Sequence, residues 1–88
     1  MAWKVEISAT AEKQIAKLDR STQLAIRDYL RDRVLASGNP RTLGKTLTGP
    51  LAGLWRYRVG DLRVLCQIRD EVLVVLVLRV AHRRDVYR

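Results

Sequence analysis

Apolar and polar residues alternate near the start of the chain and then change to a helical spacing. Residues 3–7 alternate strictly, which predicts a short strand at or near a sheet edge, because successive strand side chains point to opposite faces. A helix is predicted next, since Ser8 or Thr10 offers an N-cap before apolar residues that recur every three or four positions. These apolar residues are Ala11, Ile15 and Leu18.

The pattern over residues 21–37 predicts a longer second helix. Asp19 and Arg20 interrupt the first helix, and Ser21 is the predicted N-cap of the second. This helix is expected to end before residues 38–40, because a glycine, an asparagine and a proline in succession are a helix stop. Its apolar face holds Ile26, Leu30 and Val34.

Three more strands are predicted in the second half of the chain. Residues 54–59 and residues 62–69 both alternate, and the turn residues Gly60 and Asp61 separate them. Residues 72–80 are apolar on both faces apart from one arginine, which is typical of a strand with neighbours on both sides.

The element order β-α-α-β-β-β predicts an α+β fold with a single domain over residues 1–88. Two N-terminal helices are expected to pack on one face of a small, mostly antiparallel four-stranded sheet. Residues 41–53 contain three leucines among glycines and a proline, so they are expected to form an ordered connection that docks onto the core. The other sheet face is then open, and three arginines at alternating strand positions are candidates to line it: Arg56, Arg58 and Arg63.

The charge of the chain favours a polyanionic partner. It has 17 basic and 9 acidic residues, a formal net charge of +8, and nucleic acid is the partner that such a surplus suggests first. Membrane headgroups, an acidic protein, or a merely solubilising surface are the alternatives. From Leu51 onward there are eight arginines and no lysine, which favours phosphate recognition because the planar guanidinium binds phosphate oxygens in pairs.

Other classes of protein are disfavoured. Cys66 is the single cysteine, no signal peptide or membrane span is recognisable, and a cytoplasmic location fits best. The sequence has no phosphate-binding glycine loop, no Cys or His pairs at metal spacing and one histidine, so neither a metal nor a cofactor is expected.

Two segments together resemble the RelE family of the RelE/ParE toxin superfamily. They are LTGPLAGLWRYRVGDLRVLCQI, at residues 47–68, and HRRDVY, at residues 82–87. Members of that family are toxins of bacterial toxin–antitoxin pairs that enter the ribosomal A site and cut the bound mRNA. The resemblance implies the same activity and a cognate antitoxin that forms a hetero-oligomer with the toxin. No membrane partner is expected.

The resemblance also implies a set of site residues. The family's two basic strand positions correspond to Arg56 and Arg58, which are often lysine in the family, and arginine is a poor proton acceptor. We therefore consider His82 as the acid or base, because histidine exchanges protons near neutral pH. The expected catalytic residues are Arg58, Arg63, Arg83, Tyr87 and His82, and the expected RNA-binding residues are Arg56 and Arg84.

Several alternatives remain open at this point. A ParE-like toxin would share the fold but bind DNA gyrase without nuclease activity, and a plain RNA-binding module would hold phosphate without turnover. Arg63 has the simpler interpretation of pairing with Asp61 or Asp85, and Tyr87 that of packing on the sheet. Core or solvated positions are expected for Trp55, Tyr57, Cys66, Arg69 and Arg79.

Overall fold

A computed structural model describes residues 2–84 and shows two helices and a mixed sheet, which confirms the α+β fold. No helix within these residues has the length and apolar character needed to cross a bilayer. The strands are β1 Lys4–Ile7, β2 Lys45–Thr46, β3 Trp55–Val59, β4 Leu62–Arg69 and β5 Val74–His82, and the helices are α1 Ala9–Ala16 and α2 Arg20–Tyr29, which continues as a π-helical segment over Leu30–Leu35.

The sheet has five strands in the order β1-β5-β4-β3-β2, so the prediction of four strands was wrong by one. β1 lies at the edge and pairs with β5 in parallel, while the other pairs are antiparallel. The additional strand is β2, where Lys45 pairs with Arg56 and Thr46 with Trp55. A strand of two residues is too short to produce a recognisable alternation, which is why the sequence pattern did not indicate it.

Two helix caps were predicted, and one of them was wrong. The hydroxyl of Ser8 accepts a hydrogen bond of 3.1 Å from the N–H of Ala11, so Ser8 caps α1. Asp19, with an extended backbone, is the residue before α2, and its carboxylate accepts hydrogen bonds from the hydroxyls of Ser21 and Thr22. These two bonds lower the pKa of Asp19, and Ser21 is therefore a partner of the cap rather than the cap itself.

Buried side chains fill the space between the helices and one face of the sheet. Ala11 of α1 and Ile26 of α2 meet valines of β4 and β5 there, and all of them are almost fully excluded from solvent. Cys66 lies in this core, as predicted, and burial raises the pKa of its thiol. Core residues of both helices pack on this face, and the opposite face, which we call the open face, carries arginines and also Leu65, which is 3% exposed.

Tyr57 joins β3 to the connection between α2 and β3. Its side chain is fully buried, its hydroxyl donates a hydrogen bond to the carbonyl oxygen of Pro40, and its ring meets the ring of Tyr29 edge to face at 6.3 Å. A Cβ on Gly44 would lie 3.1 Å from the Tyr57 ring, so only glycine fits easily between the connection and the strand. The expectations of an ordered, docked connection and of a core position for Tyr57 are therefore confirmed.

The pairing of β5 with β4 is irregular next to the point where β1, the neighbour of β5 on its other side, ends. Leu65 of β4 lies opposite Arg79, but the next residue, Cys66, lies opposite Val77. One step along β4 thus corresponds to two steps along β5, and the extra residue is Leu78. This is a β-bulge, which bends a strand and redirects the side chains that follow it.

Polar groups at the beginning of the first helix hold this bulge. The backbone N–H of Ser8 donates to the carbonyl oxygen of Val77 at 2.9 Å, and its hydroxyl donates to that of Leu78 at 3.0 Å. The N–H of Val80 donates to the side-chain oxygen of Gln14 at 2.6 Å. β1 ends opposite Val77 and offers no hydrogen-bond partners to the residues of β5 that follow. The contacts from Ser8 and Gln14 therefore satisfy backbone groups of β5 beyond the end of β1.

Candidate nucleic-acid interface

The open sheet face brings three predicted site residues together. In the pairing of β3 with β4, Arg58 lies directly opposite Arg63, and Arg56 lies opposite Leu65. Residues opposite each other in an antiparallel pair share a face, and the neighbouring Tyr57 is buried on the helix side. The predicted alternation of these arginines is therefore confirmed.

Arg58 and Arg63 form a pair of like charges across two strands. Arg63 is only 7% exposed and donates from Nη1 to the carbonyl oxygen of Leu62 at 3.2 Å, whereas Arg58 is exposed. Arginine binds phosphate oxygens in pairs, so two arginines at opposed strand positions are suited to contact one phosphate.

Two further cations lie on the same face, although the sequence pattern did not place them there. Lys45 of β2 lies opposite Arg56, and Arg79 of β5 lies opposite Leu65. We call the five residues together the basic face: Lys45, Arg56, Arg58, Arg63 and Arg79. Lys45 lies on this face because of the two-residue strand β2, and Arg79 because of the bulge. The only signal in the sequence was that Arg79 stands within an otherwise apolar strand.

The tail, residues 83–88, follows β5 and begins at the end of the sheet nearest the Arg58–Arg63 pair. The N–H of Arg83 donates to the carbonyl oxygen of Asp61 at 3.2 Å, which attaches the start of the tail to the β3–β4 turn. Arg83 and Arg84 are exposed and, with Asp61 and His82, line a cavity of about 520 Å³. Tyr87 lies outside the described residues, as does Asp85.

His82 occupies a different position from the arginines. It lies opposite Leu62, a core residue, and this register places it on the helix side of the sheet. There it lines a second cavity, of about 380 Å³, together with Asp19 and Asp61. The structure thus brings His82 next to the tail but does not bring it onto the face that carries Arg58 and Arg63.

Other basic and aromatic residues have structural contacts. Arg69, on the open face but at the opposite end of β4, lies 3.6 Å from a carboxylate oxygen of Glu71. The guanidinium of Arg41 stacks on the ring of Trp55 at 5.7 Å and forms a two-fold hydrogen-bonded ion pair with Asp70. Within residues 2–84 there is no group of three His, Cys, Asp or Glu side chains placed to hold a metal ion.

Comparison with known proteins gives one consistent family. The model of the family described as "ParE toxin of type II toxin-antitoxin system, parDE" matches residues 5–87. Toxin RelG of Mycobacterium tuberculosis is 35% identical over 88 residues, which are 100% of this chain and 99% of the relative. Toxin RelE of the same organism is 34% identical over 86 residues, which are 98% of this chain and 87% of the relative.

Solved structures support the same assignment. A chain in the crystal structure of the toxin–antitoxin complex RelBE2 from Mycobacterium tuberculosis has a TM-score of 0.85 and 31% identity, with 94% of this chain and 100% of that chain covered. A chain of the archaeal RelE–RelB complex from Pyrococcus horikoshii OT3 has a TM-score of 0.72 and 25% identity, with 97% and 99% covered. The present chain therefore belongs to the ParE toxin family and is a toxin of a type II toxin–antitoxin system within the RelE/ParE superfamily.

Proposed function

We propose that this toxin is a ribosome-dependent mRNA endoribonuclease that cuts mRNA in the A site without a metal and so inhibits translation. The observation that carries the proposal is the Arg58–Arg63 pair on the open sheet face, with Arg83 at the adjoining end of the sheet. Cations concentrated on the sheet face opposite the helices are suited to an RNA backbone, whose phosphates dominate the affinity of such complexes.

The chemistry needs few groups because RNA carries its own nucleophile. The 2′-hydroxyl loses its proton as its oxygen attacks the adjacent phosphorus, and the bond from phosphorus to the 5′-oxygen breaks. The products are a 2′,3′-cyclic phosphate and a 5′-hydroxyl, whose oxygen has gained a proton. A protein can accelerate this reaction by aligning the 2′-oxygen and neutralising the charge on the phosphorane. Arg58, Arg63 and Arg83 take the second role in our proposal, and Tyr87 stacks on a base or holds the 2′-hydroxyl.

The remaining site residues have supporting roles in the proposal. Arg56 and Arg84 contact backbone phosphates of mRNA or ribosomal RNA, which fixes the position of the substrate. His82 is the candidate that transfers a proton, since arginine stays protonated. Its place on the helix side of β5 means that RNA must pass around the end of the sheet to meet both His82 and Arg63.

The solved relatives also support a protein partner. Two of the similar structures are toxin–antitoxin complexes, and we propose that a cognate antitoxin binds this chain in a hetero-oligomer and neutralises it. The toxin would then act in the cytoplasm, where ribosomes and mRNA are found. Acidic antitoxin side chains are suited to the basic face, because opposite charges favour association across an interface.

Primer extension on a defined mRNA tests the nuclease. Purified toxin is incubated with the mRNA, with and without bacterial ribosomes that hold an empty A site. We expect a new cut within the A-site codon only when ribosomes are present. Arg83→Ala should abolish the cut, and the matched variant Arg69→Ala should retain it, because Arg69 lies far from the tail and pairs with Glu71.

Intact mRNA in every lane, with a folded toxin, would refute the nuclease and favour a second candidate. This candidate is inhibition of DNA gyrase, and it rests on the family model, which is described as a ParE toxin. A supercoiling assay with purified gyrase then decides, since only a gyrase inhibitor lowers the yield of supercoiled DNA. If His82 transfers a proton in the nuclease, His82→Gln should change the pH dependence of cutting while ribosome binding is retained.

A further inference from the structure

The spacing of buried residues along β5 is not that of a regular strand. Val75, Val77 and Val80 all lie in the core, with 0%, 0% and 3% exposure. Residues on one face of a strand are separated by two positions, yet the last two of these valines are separated by three. The bulge at Leu78 supplies the missing position and reverses the side of the sheet to which the rest of β5 points.

Arg79 reaches the open face because of this reversal. In a regular strand it would point the same way as Val77, into the core, and Val80 would point away from it. The observed register instead sets Arg79 opposite Leu65 on the open face and leaves it partly exposed. Bulges often redirect side chains near functional sites, and here the redirected residue is a cation.

Arg79 completes a row that crosses the sheet. Lys45, Arg56, Leu65 and Arg79 follow one another on neighbouring strands β2, β3, β4 and β5. Strands lie about 4.8 Å apart, so the backbones at Arg56 and Arg79 are separated by roughly 10 Å, with a buried leucine between them. The row that holds the Arg58–Arg63 pair lies two residues, about 7 Å, away along the strands.

We propose that Arg79 is a further RNA-binding residue, which with Arg56 holds the phosphate of a nucleotide next to the one that is cut. The proposal rests on the proposed function and adds a second subsite to it. Leu65, which is 3% exposed, lies between Arg56 and Arg79 in this row, and contacts to a flanking phosphate fix the register of the RNA without reading its sequence. The ligand of this row is single-stranded RNA, because a phosphate beside the scissile one is always present there.

Salt dependence of RNA binding tests the role of Arg79. Binding of a fluorescent single-stranded RNA to the full-length toxin is measured by anisotropy across a range of salt concentrations. Removing one phosphate contact lowers the slope of log K against log salt by about 0.7. We expect this loss for Arg79→Gln, a retained slope for Arg79→Lys, and no loss for Arg69→Gln, which removes one charge elsewhere on the open face.

Ribosome-dependent cutting gives the second readout. Arg79→Gln should raise KM about tenfold with kcat close to that of the wild type, because a flanking phosphate contact positions the substrate without touching the reacting atoms. The inference is overturned if Arg79→Gln has the same salt slope and the same KM as the wild type. If thermal stability falls while the slope and KM are unchanged, the role of Arg79 is structural. Arg79→Lys, which keeps the charge, separates loss of the cation from loss of the fold.

The two proposals fail in different ways. If the wild type cuts mRNA and Arg79→Gln cuts it equally well with the same slope, only the inference about Arg79 is wrong. If the wild type binds RNA with an Arg79-dependent slope but never cuts, the nuclease is wrong and the RNA-binding row remains. A wild type that neither binds nor cuts RNA overturns both.

Discussion

Replacing Tyr57 by phenylalanine tests how the basic face is supported. Tyr57 lies between Arg56 and Arg58 in β3 but points to the opposite side, where it is fully buried and donates a hydrogen bond to the carbonyl oxygen of Pro40. The variant keeps the ring and removes a single oxygen atom. It therefore leaves a buried carbonyl group without its donor at the point where the connection docks onto the strand.

The structure gives a magnitude for this loss. A buried polar group that loses its partner costs about 1–3 kcal/mol. An unfolding entropy of about 2.1 cal/mol/K per residue amounts to roughly 185 cal/mol/K for 88 residues. Each kcal/mol then shifts Tm by about 5 °C, and Tyr57→Phe should lower Tm by about 5–16 °C near neutral pH.

The pH dependence of this shift provides an independent check. Burial raises the pKa of the Tyr57 hydroxyl in the folded protein, while in the unfolded chain it ionises near pH 10. The folded state then binds more protons above that pH, so the stability that Tyr57 contributes is complete below about pH 10 and is lost as the pH rises further. Phenylalanine does not titrate, and the difference in Tm between the two proteins should narrow above about pH 10.

Thermal melts of the wild type, Tyr57→Phe and Tyr29→Phe at neutral and alkaline pH decide the matter. Tyr29 is only partly buried, so its variant makes the same chemical change where solvent can reach the ring. A shift below about 2 °C for Tyr57→Phe at neutral pH, smaller than the range above, would refute the account of the Pro40 bond. A constant difference at all pH values would refute the account of the raised pKa.

Two further predictions concern the helix side of the sheet. Gln14→Leu removes the acceptor of the Val80 N–H and should lower Tm by about 5 °C, for a cost of about 1 kcal/mol, as measured by thermal melts; an unchanged Tm would mean that the bulge does not depend on this bond. Cys66 is fully buried with a raised pKa, so iodoacetamide should modify it at least about 100-fold more slowly in native than in urea-unfolded protein, as measured by mass spectrometry; equal rates would contradict the burial.

The sequence predicts the part of the site that depends on the alternation of side chains along neighbouring strands. Arg56 and Arg58 are two positions apart in one strand, and a tight turn at Gly60 carries the alternation into the next strand, so the common face of these residues and Arg63 follows from the sequence alone. The resemblance of the tail extends the prediction to Arg83, Arg84 and Tyr87. These tail assignments, like the catalytic roles of the other residues, remain predictions that the experiments above address.

Prediction was less complete where pairing between distant segments decides the position of a side chain. Lys45 joins the basic face through a strand of two residues that exists only because β3 offers it a partner. The side to which His82 points depends on the bulge, because β5 reverses its alternation at Leu78. Arg79 was expected to be solvated or structural, and its place on the open face was not foreseen for the same reason.

The sequence by itself determined the helices, four of the five strands, the α+β class, the excess of positive charge and the common face of three arginines. All of these depend on residue periodicity, turn chemistry and composition, which act over a few neighbouring positions. Only the tertiary structure decided that β1 lies parallel beside β5, that polar groups of Ser8 and Gln14 hold a bulge there, and that Arg79 consequently points to the basic face. The physical reason is that a bulge leaves backbone groups that must find hydrogen-bond partners, and here these partners lie about seventy residues away along the chain.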